Sequence, residues 1–285
     1  MWAAPRIAPL RAVRYLYPVM AVYDCFMFSN ELLLLELRFH ELAGVVDRFV
    51  LVEGTRSFDG TPKPLHFAEN RERFRPFLDK VVHVVVDDLP PFEGNAWALE
   101  NFQRNAIARG LRDCRPDDLI LVSDADEVPR ASTVAGFDAR LGVVENRLYY
   151  YKFNLQMVAG GDAYLSTRMI RARDLRTPQA LRKVKGKSYP WWRLDRRPPR
   201  TILREGGWHF SYVLGAQDIA RKVRVGAHQE YNTSHFTDPA RIERCMREGT
   251  DLFDRSGRRL RAVPIDGSYP AWVREHQAEL APWIA

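Results

Sequence analysis

Two aspartates one residue apart, Asp124 and Asp126, are the side chains best placed by sequence to do chemistry, and Glu127 follows them. They lie in Ser123-Asp124-Ala125-Asp126-Glu127, directly after the apolar run Leu119–Ser123. Side chains alternate along a strand, and that alternation is lost where the strand turns, so both carboxylates can reach one point. Such hard oxygen ligands suit Mg²⁺ or Mn²⁺ and leave coordination positions open for the oxygens of a diphosphate. Asp124, Asp126 and Glu127 are therefore the candidate catalytic residues, with Asp124 and Asp126 as metal ligands. The plainer reading is a solvated turn whose aspartates cap the next segment.

His209 is the third candidate ligand. It sits in Gly206-Gly207-Trp208-His209-Phe210-Ser211, and a neutral imidazole can complete a carboxylate metal site. A histidine between aromatic residues also serves as a hydrogen-bonded core residue, and nothing in the spacing ties it to Asp126. Arg104 and Asn105 end the helical segment before the Asp-x-Asp strand, where an arginine can face a base or a phosphate. An i, i+4 pair of Arg104 with Glu100 is the structural alternative. Glu53 ends a buried apolar run, where an unpaired carboxylate is costly, so it contacts a ligand or the following loop. Lys63, in Thr61-Pro62-Lys63-Pro64, is read as structural or solvent-facing.

The elements that must carry these residues alternate. Val22–Phe28 reads as a strand, and Glu31–Ala43 as a helix capped by Asn30 and stopped by Gly44. Asp47–Glu53 and Lys80–Val86 are continuous apolar runs typical of strands buried on both faces. Trp97–Arg109 reads as a helix and Leu119–Ser123 as a fourth strand. This order predicts an α/β fold with a mostly parallel sheet and crossover helices. Ligands in such sheets bind outside the carboxyl ends of the strands. There the chain places Glu31, Glu53, Asp87, Asp88, Asp124, Asp126 and Glu127. Carboxylates converging on one rim repel one another unless a cation sits among them. Later, Leu148–Phe153 reads as a strand, and Asp238-Pro239 opens a helix that Gly249 closes.

Composition narrows the class. With 285 residues, 46% hydrophobic and 28% charged, the chain is globular and large enough to need no staples. Cys25, Cys114 and Cys245 form neither a disulfide framework nor a Cys-x-x-Cys metal site, which fits a reducing compartment. The net charge of +7 is concentrated: residues 168–204 hold thirteen Lys or Arg against two acids. That stretch invites an anionic partner, a membrane surface included, or forms a solvated basic loop. No apolar run is long enough to span a bilayer, and Arg6, Arg11 and Arg14 break up any leader, so the reading is a cytoplasmic chain, peripheral to the membrane at most. GxxxxGK[ST], GxGxxG after the first strand, GxSxG and HExxH are all absent, which lowers P-loop kinases, dinucleotide dehydrogenases, serine hydrolases and zincins.

Several blocks occur in order: the long run from Tyr23 to Phe67, then NAWALENFQRN, DDLILVSDADEVP, GGWHFSY and HQEYNTSHFTD. Together they resemble glycosyltransferase family 17 across roughly residues 22–255. The resemblance implies a GT-A fold, with a nucleotide-sugar half (21–130), an acceptor half (131–255), an N-terminal extension (1–20) and a packed tail (256–285). It implies a UDP-sugar donor, by expectation UDP-GlcNAc, an Mn²⁺ or Mg²⁺ cofactor, inversion, and a glycan or glycolipid acceptor. Asp124 and Asp126 match the family's Asp-x-Asp, and Glu127 the acid after it. His209, with Trp208, matches its Trp-His motif, and Glu53, Asp87 and Arg104 match its nucleotide half. Glu31, Glu53, Asp87, Arg104, Asn105 and Trp208 are thus the expected substrate-binding set. Glu127 is the nearest acid for a general base, with Asp162 and Glu230 as rivals. No nucleic-acid partner is expected. A metal-dependent nuclease or phosphotransferase, using the acid cluster and the basic stretch, is the alternative; a glycan-binding module using Trp191-Trp192 is a third.

Overall fold

The computed structural model describes residues 20–159, 164–186, 192 and 200–285. The N-terminal extension before Met20, Asp162, Trp191 and much of the basic stretch lie outside the described residues.

Four strands, β1 (Val22–Phe28), β2 (Arg48–Gly54), β3 (Val81–Val86) and β4 (Leu119–Asp124), form the parallel half of the sheet in the order β4-β1-β2-β3. They are connected through α1 (Leu32–Leu42), the short α2 (His66–Glu69) and α3 (Ala96–Asn105). The apolar runs follow from burial on both faces. Phe26, Phe49, Leu51 and Leu121 pack towards α1 with Leu35 and Phe39. Cys25, Val50, Val52, Ile120 and Val122 pack towards α3 with Leu99 and Ile107. Asn95 caps α3, accepting from the Ala98 N–H, whereas Asn30 does not cap α1, which starts at Leu32.

Beyond β4 the sheet changes character. The short β5 (Glu127–Pro129) and α4 (Ala131–Ala135) lead into β6 (Leu141–Tyr150), β7 (Leu155–Ala159) and β8 (Tyr164–Arg171). The helix α5 (Pro178–Arg182) follows, then β9 (Thr201–Ser211), α6 (Ala216–Val225), α7 (Pro239–Glu248), β10 (Arg259–Ala262) and α8 (Ala271–Glu275). β8 runs antiparallel to both β4 and β6, so the ten-stranded sheet is parallel through its first half and mixed after it. The strand expected over Leu148–Phe153 is the end of the longer β6, and the Gly/aromatic segment is the end of β9. α7 has the predicted ends: Asp238 caps it through the Ala240 and Arg241 N–H groups, Pro239 is its first residue and Gly249 closes it with φ +65°. The C-terminal segment packs back on the sheet through Tyr269, Trp272, Val273 and Leu280. Among the described residues no helix is long and apolar enough to cross a membrane.

Candidate active site

The carboxyl ends of β1 and β4 are neighbours in register, Met27 opposite Asp124, and open into a cleft of about 930 Å³. Its walls come from the β1–α1 turn (Phe28–Glu31), the loop 56–66, α3, the Asp-x-Asp turn, Tyr164, α5 and α6 with the loop that follows it. Four carboxylates line it, Glu31, Glu100, Asp124 and Asp126, against seven Lys or Arg side chains. Such a wall favours an anionic ligand.

Arg38 holds the Asp-x-Asp turn from beneath. Its guanidinium is fully buried and forked onto Asp24, at 2.6 and 2.7 Å. It also donates to Ser123 Oγ at 2.5 Å, to the Asp124 carbonyl at 3.1 Å and to the Glu127 carbonyl at 2.7 Å. A buried arginine on one helix thereby fixes both ends of the turn. Sequence reading passed it over because it sits inside an apolar helical stripe.

The two aspartates then diverge. Asp124 accepts from Arg104 at 3.0 Å through one oxygen and from Arg182 at 2.7 Å through the other. Burial acts to raise its pKa, but the two guanidiniums outweigh that and hold it below the usual carboxylate range. Asp126 turns the other way. Its Oδ2 lies 3.5 Å from His209 Nε2 and 3.7 Å from Lys222 Nζ. Its pKa is also depressed, with His209 and Lys222 overcoming burial. The short β5–β9 pairing makes this meeting possible: Glu127 stands opposite His209, and the Phe210 N–H donates to the Asp126 carbonyl at 2.9 Å. Gly207 permits that approach, since a Cβ there would lie 2.5 Å from the Val128 carbonyl oxygen.

The residues fit a divalent ion through Asp126 and His209. The 3.5 Å between Asp126 Oδ2 and His209 Nε2 is near the spacing of adjacent octahedral ligands, about 3 Å. Asp124 is oriented away from them, with one oxygen accepting from Arg104 and the other from Arg182. Among the described residues no three His, Cys, Asp or Glu gather as a complete metal cage. The remaining positions suit phosphate and water oxygens, the usual arrangement for Mg²⁺ with a phosphorylated ligand.

The other expected residues separate into three groups. Glu31 and Arg104 line the cleft, and Arg104 pairs with Glu100 (2.8 Å) as well as with Asp124, so its two readings both hold. Glu53, Asn105 and Glu127 act behind the wall. Glu53 is fully buried, 3.0 Å from His83 Nε2 and 3.7 Å from Lys63 Nζ, and it accepts from the Phe67 N–H. It anchors Lys63, which lines the cleft. Asn105 accepts from the Gln179 N–H and so orients α5. Glu127 is fully buried, with Arg182 bonding both its oxygens at 2.6 and 2.8 Å, which removes it as an open general base. Asp87 and Trp208 leave the site altogether. Asp87 is an exposed residue beyond β3 and outside the cleft lining. Trp208 alternates to the far face of β9 from His209, buried beneath Arg130 and donating to the Ser268 carbonyl. Glu230, a rival base, is exposed and paired with His228 at 2.7 Å.

Arg182, Lys222 and Tyr212 were not anticipated. Arg182 belongs to the basic stretch, where its neighbours in sequence hid it; six of the seven lining cations, all but Arg104, come from residues far from the Asp-x-Asp in sequence or from loops. Tyr212 follows β9 with φ +56°, a left-handed conformation that a bulky residue rarely adopts, and its ring lies 5.6 Å from Lys222 Nζ.

Comparison with known proteins gives the family. The sequence profile of glycosyltransferase family 17 matches residues 12–158, just over half of the chain. The chain belongs to glycosyltransferase family 17. The β-1,4-mannosyl-glycoprotein 4-β-N-acetylglucosaminyltransferases of Rattus norvegicus and Homo sapiens are each 35% identical to it over 135 residues. That segment is 45% of this chain but only 23% and 24% of the relatives, so the chain matches about a quarter of their length. Among solved structures, the inositol-1-phosphate CTP transferase from T. maritima superposes at TM-score 0.35 with 11% identity, covering 68% of this chain and 89% of that one. Glucosyl-3-phosphoglycerate synthase from Mycobacterium tuberculosis superposes at TM-score 0.34 with 12% identity, covering 90% and 92%. Both likenesses are too distant to carry function. The family 17 match contains Glu31, Arg104 and the Asp-x-Asp; Arg182, His209 and Lys222 come from the chain beyond it.

Proposed function

We propose that this family 17 glycosyltransferase moves a sugar, GlcNAc by analogy with the named relatives, from a UDP-sugar to a hydroxyl of a glycan or glycolipid, with inversion and with a divalent metal. One observation supports it above the others: a cleft with more cations than acids surrounds an Asp–His pair at the carboxyl ends of two adjacent parallel strands. That combination suits a diphosphate ester with its metal.

When bound by Asp126 and His209, Mn²⁺ or Mg²⁺ supplies charge compensation for the departing nucleotide diphosphate. The chain's own residues do the rest. Arg38 sets the turn, so Asp126 is positioned before any ligand arrives. Arg104 and Arg182 keep Asp124 ionised and fixed, and they bind α3 and α5 to the Asp-x-Asp turn. The aromatic residues Phe58, Trp97 and Tyr231 on the wall give planar or apolar ligand faces a surface to pack on. The attacking hydroxyl must lose its proton to one carboxylate. With Glu127 locked by Arg182, Glu31 and Glu100 are the lining carboxylates outside the aspartate pair. A two-metal nuclease would need Asp124 and Glu127 as ligands, and both are engaged by guanidiniums.

Calorimetric titration of UDP, GDP and CDP, each with Mn²⁺ and with EDTA, tests the reading. UDP is expected to bind with Mn²⁺ far more tightly than the other two, and UDP-GlcNAc to be consumed with an acceptor panel. Folded protein that binds none of the three nucleotides, with or without metal, would refute it.

A further inference from the structure

Lys222 is a lining cation beside Asp126 with hydrogen-bonding capacity to spare. Arg182 donates to Asp124, Glu127 and the Ser166 carbonyl, and Arg104 to Asp124, Glu100 and Gln179. Both guanidiniums are committed to holding the site together. Lys222 has three N–H donors and a single hydrogen bond among the described residues, to Glu31 Oε1 at 2.8 Å. Asp126, at 3.7 Å, is too far for a second. Its side chain is 29% exposed and lines the cleft, so the unused donors can be reached by a ligand.

The surroundings hold this ammonium in place. α6 buries Ile219, Ala220 and Val223 on one face, which fixes the helix that carries Lys222. Glu31 is itself held, its Oε2 accepting from the Ser29 and Asn30 N–H groups at the end of β1. The Tyr212 ring, placed by its left-handed backbone, covers the lysine from another side.

We propose that Lys222 is a built-in cation for the donor diphosphate, held by Glu31 beside Asp126, so that nucleotide binding does not depend wholly on the divalent ion. This rests on the reading of the cleft as a UDP-sugar site. Glu31 is then a positioning residue, and it competes with the phosphate oxygens for the lysine. A lysine binds phosphate as a point charge with rotatable donors, which suits a group that must release one oxygen and take another.

The test is calorimetry with UDP and with uridine, in EDTA and in Mn²⁺, on the wild-type chain, Lys222→Met, Lys222→Arg and Glu31→Gln. In EDTA the wild type binds UDP measurably, Lys222→Met at least tenfold more weakly, and Lys222→Arg within a few-fold of wild type. Glu31→Gln frees the lysine and tightens UDP binding several-fold. Uridine, which lacks the diphosphate, binds all four proteins alike. If Lys222→Met leaves Glu31 unpaired and does not fold, the neutral pair Glu31→Gln/Lys222→Met carries the same expectation. Equal UDP affinity of wild type and Lys222→Met in EDTA overturns the proposal, as does an equal loss of uridine and UDP. UDP binding that vanishes in the wild type with EDTA but persists with Mn²⁺ overturns it while leaving the transferase reading intact. Loss of both ligands under every condition removes both.

Discussion

Replacing Arg38 by Met tests whether the active-site turn is preorganised by one buried side chain. The wild-type guanidinium and the Asp24 carboxylate are both fully buried, and the fork between them is 2.6 and 2.7 Å long. Methionine fills much of the same space but leaves Asp24 charged and unpaired, which costs about 3–5 kcal/mol in a buried pair. The carbonyls of Asp124 and Glu127 and the Ser123 hydroxyl lose their donor at the same time. Natural domains hold only about 5–15 kcal/mol of net stability, so this is a large share of the whole. Urea unfolding followed by circular dichroism should show the loss as a lower midpoint with an unchanged slope. Adding Asp24→Leu removes the stranded charge and should recover more than half of it, because an apolar pair can replace a buried ion pair at little cost. Mn²⁺ binding should stay impaired in that double variant, since the turn still lacks its support. A single-variant loss below about 1 kcal/mol, or a double variant no more stable than the single, would refute the reasoning.

Three further outcomes follow from the geometry. Gly207→Ala brings a methyl within 2.5 Å of the Val128 carbonyl, so it should cost about 1–3 kcal/mol and separate His209 from Asp126, read as weaker Mn²⁺ binding. Asp126→Asn should weaken Mn²⁺ binding by at least about tenfold, measured by calorimetry, whereas Asp124→Asn should leave the ion bound and instead lower the thermal midpoint, because Arg104 and Arg182 lose a charged acceptor. Behind the cleft-lining Phe253, Arg255 bonds both oxygens of Asp251; although burial works to raise the Asp251 pKa, those bonds hold it below the unfolded value. The resulting stability is present above about pH 4 and lost as pH falls through the lower folded value, so Asp251→Asn should flatten the acid side of a stability–pH curve.

The parallel half of the fold was legible because each buried strand is a short apolar run between breaks, and Val22–Phe28 has the bounds expected of it. The Asp-x-Asp was legible for the same reason, at the end of LILVS. After β4, the ends of α7 were legible and the strand pairing was not. There β8 pairs antiparallel with β4 and β6, and β9 joins β6 in parallel only after a gap of 50 residues. His209 could be named as a ligand but not joined to Asp126, since the β5–β9 pairing is a long-range contact with no local signal. Trp208 was assigned to the ligand through the same motif, yet strand alternation sends it to the opposite face. Arg182 was lost in a run of basic residues, where composition says only that charge is present. Lys222 sits in an amphipathic helix whose exposed face looks like solvent-facing charge until Glu31, 191 residues away, is brought beside it.

The separation of Asp124 from Asp126 follows from where β4 ends. Asp124 is still in the ladder, opposite Met27, and faces the helices packed on that side of the sheet, α3 and α5, which bring Arg104 and Arg182. Two residues later the ladder has stopped, and the Asp126 carbonyl is taken by Phe210 of β9. That hydrogen bond commits the backbone to the second half of the molecule, and the carboxylate meets His209 and Lys222 there. One short motif therefore spans both halves of the sheet. Its first acid ties together the elements that follow from the parallel topology, and its second is completed only when the mixed half has docked. The Asp126–His209 pair, proposed above to hold the divalent ion, cannot exist in a fragment that ends with the parallel strands, even though such a fragment would retain the Asp-x-Asp.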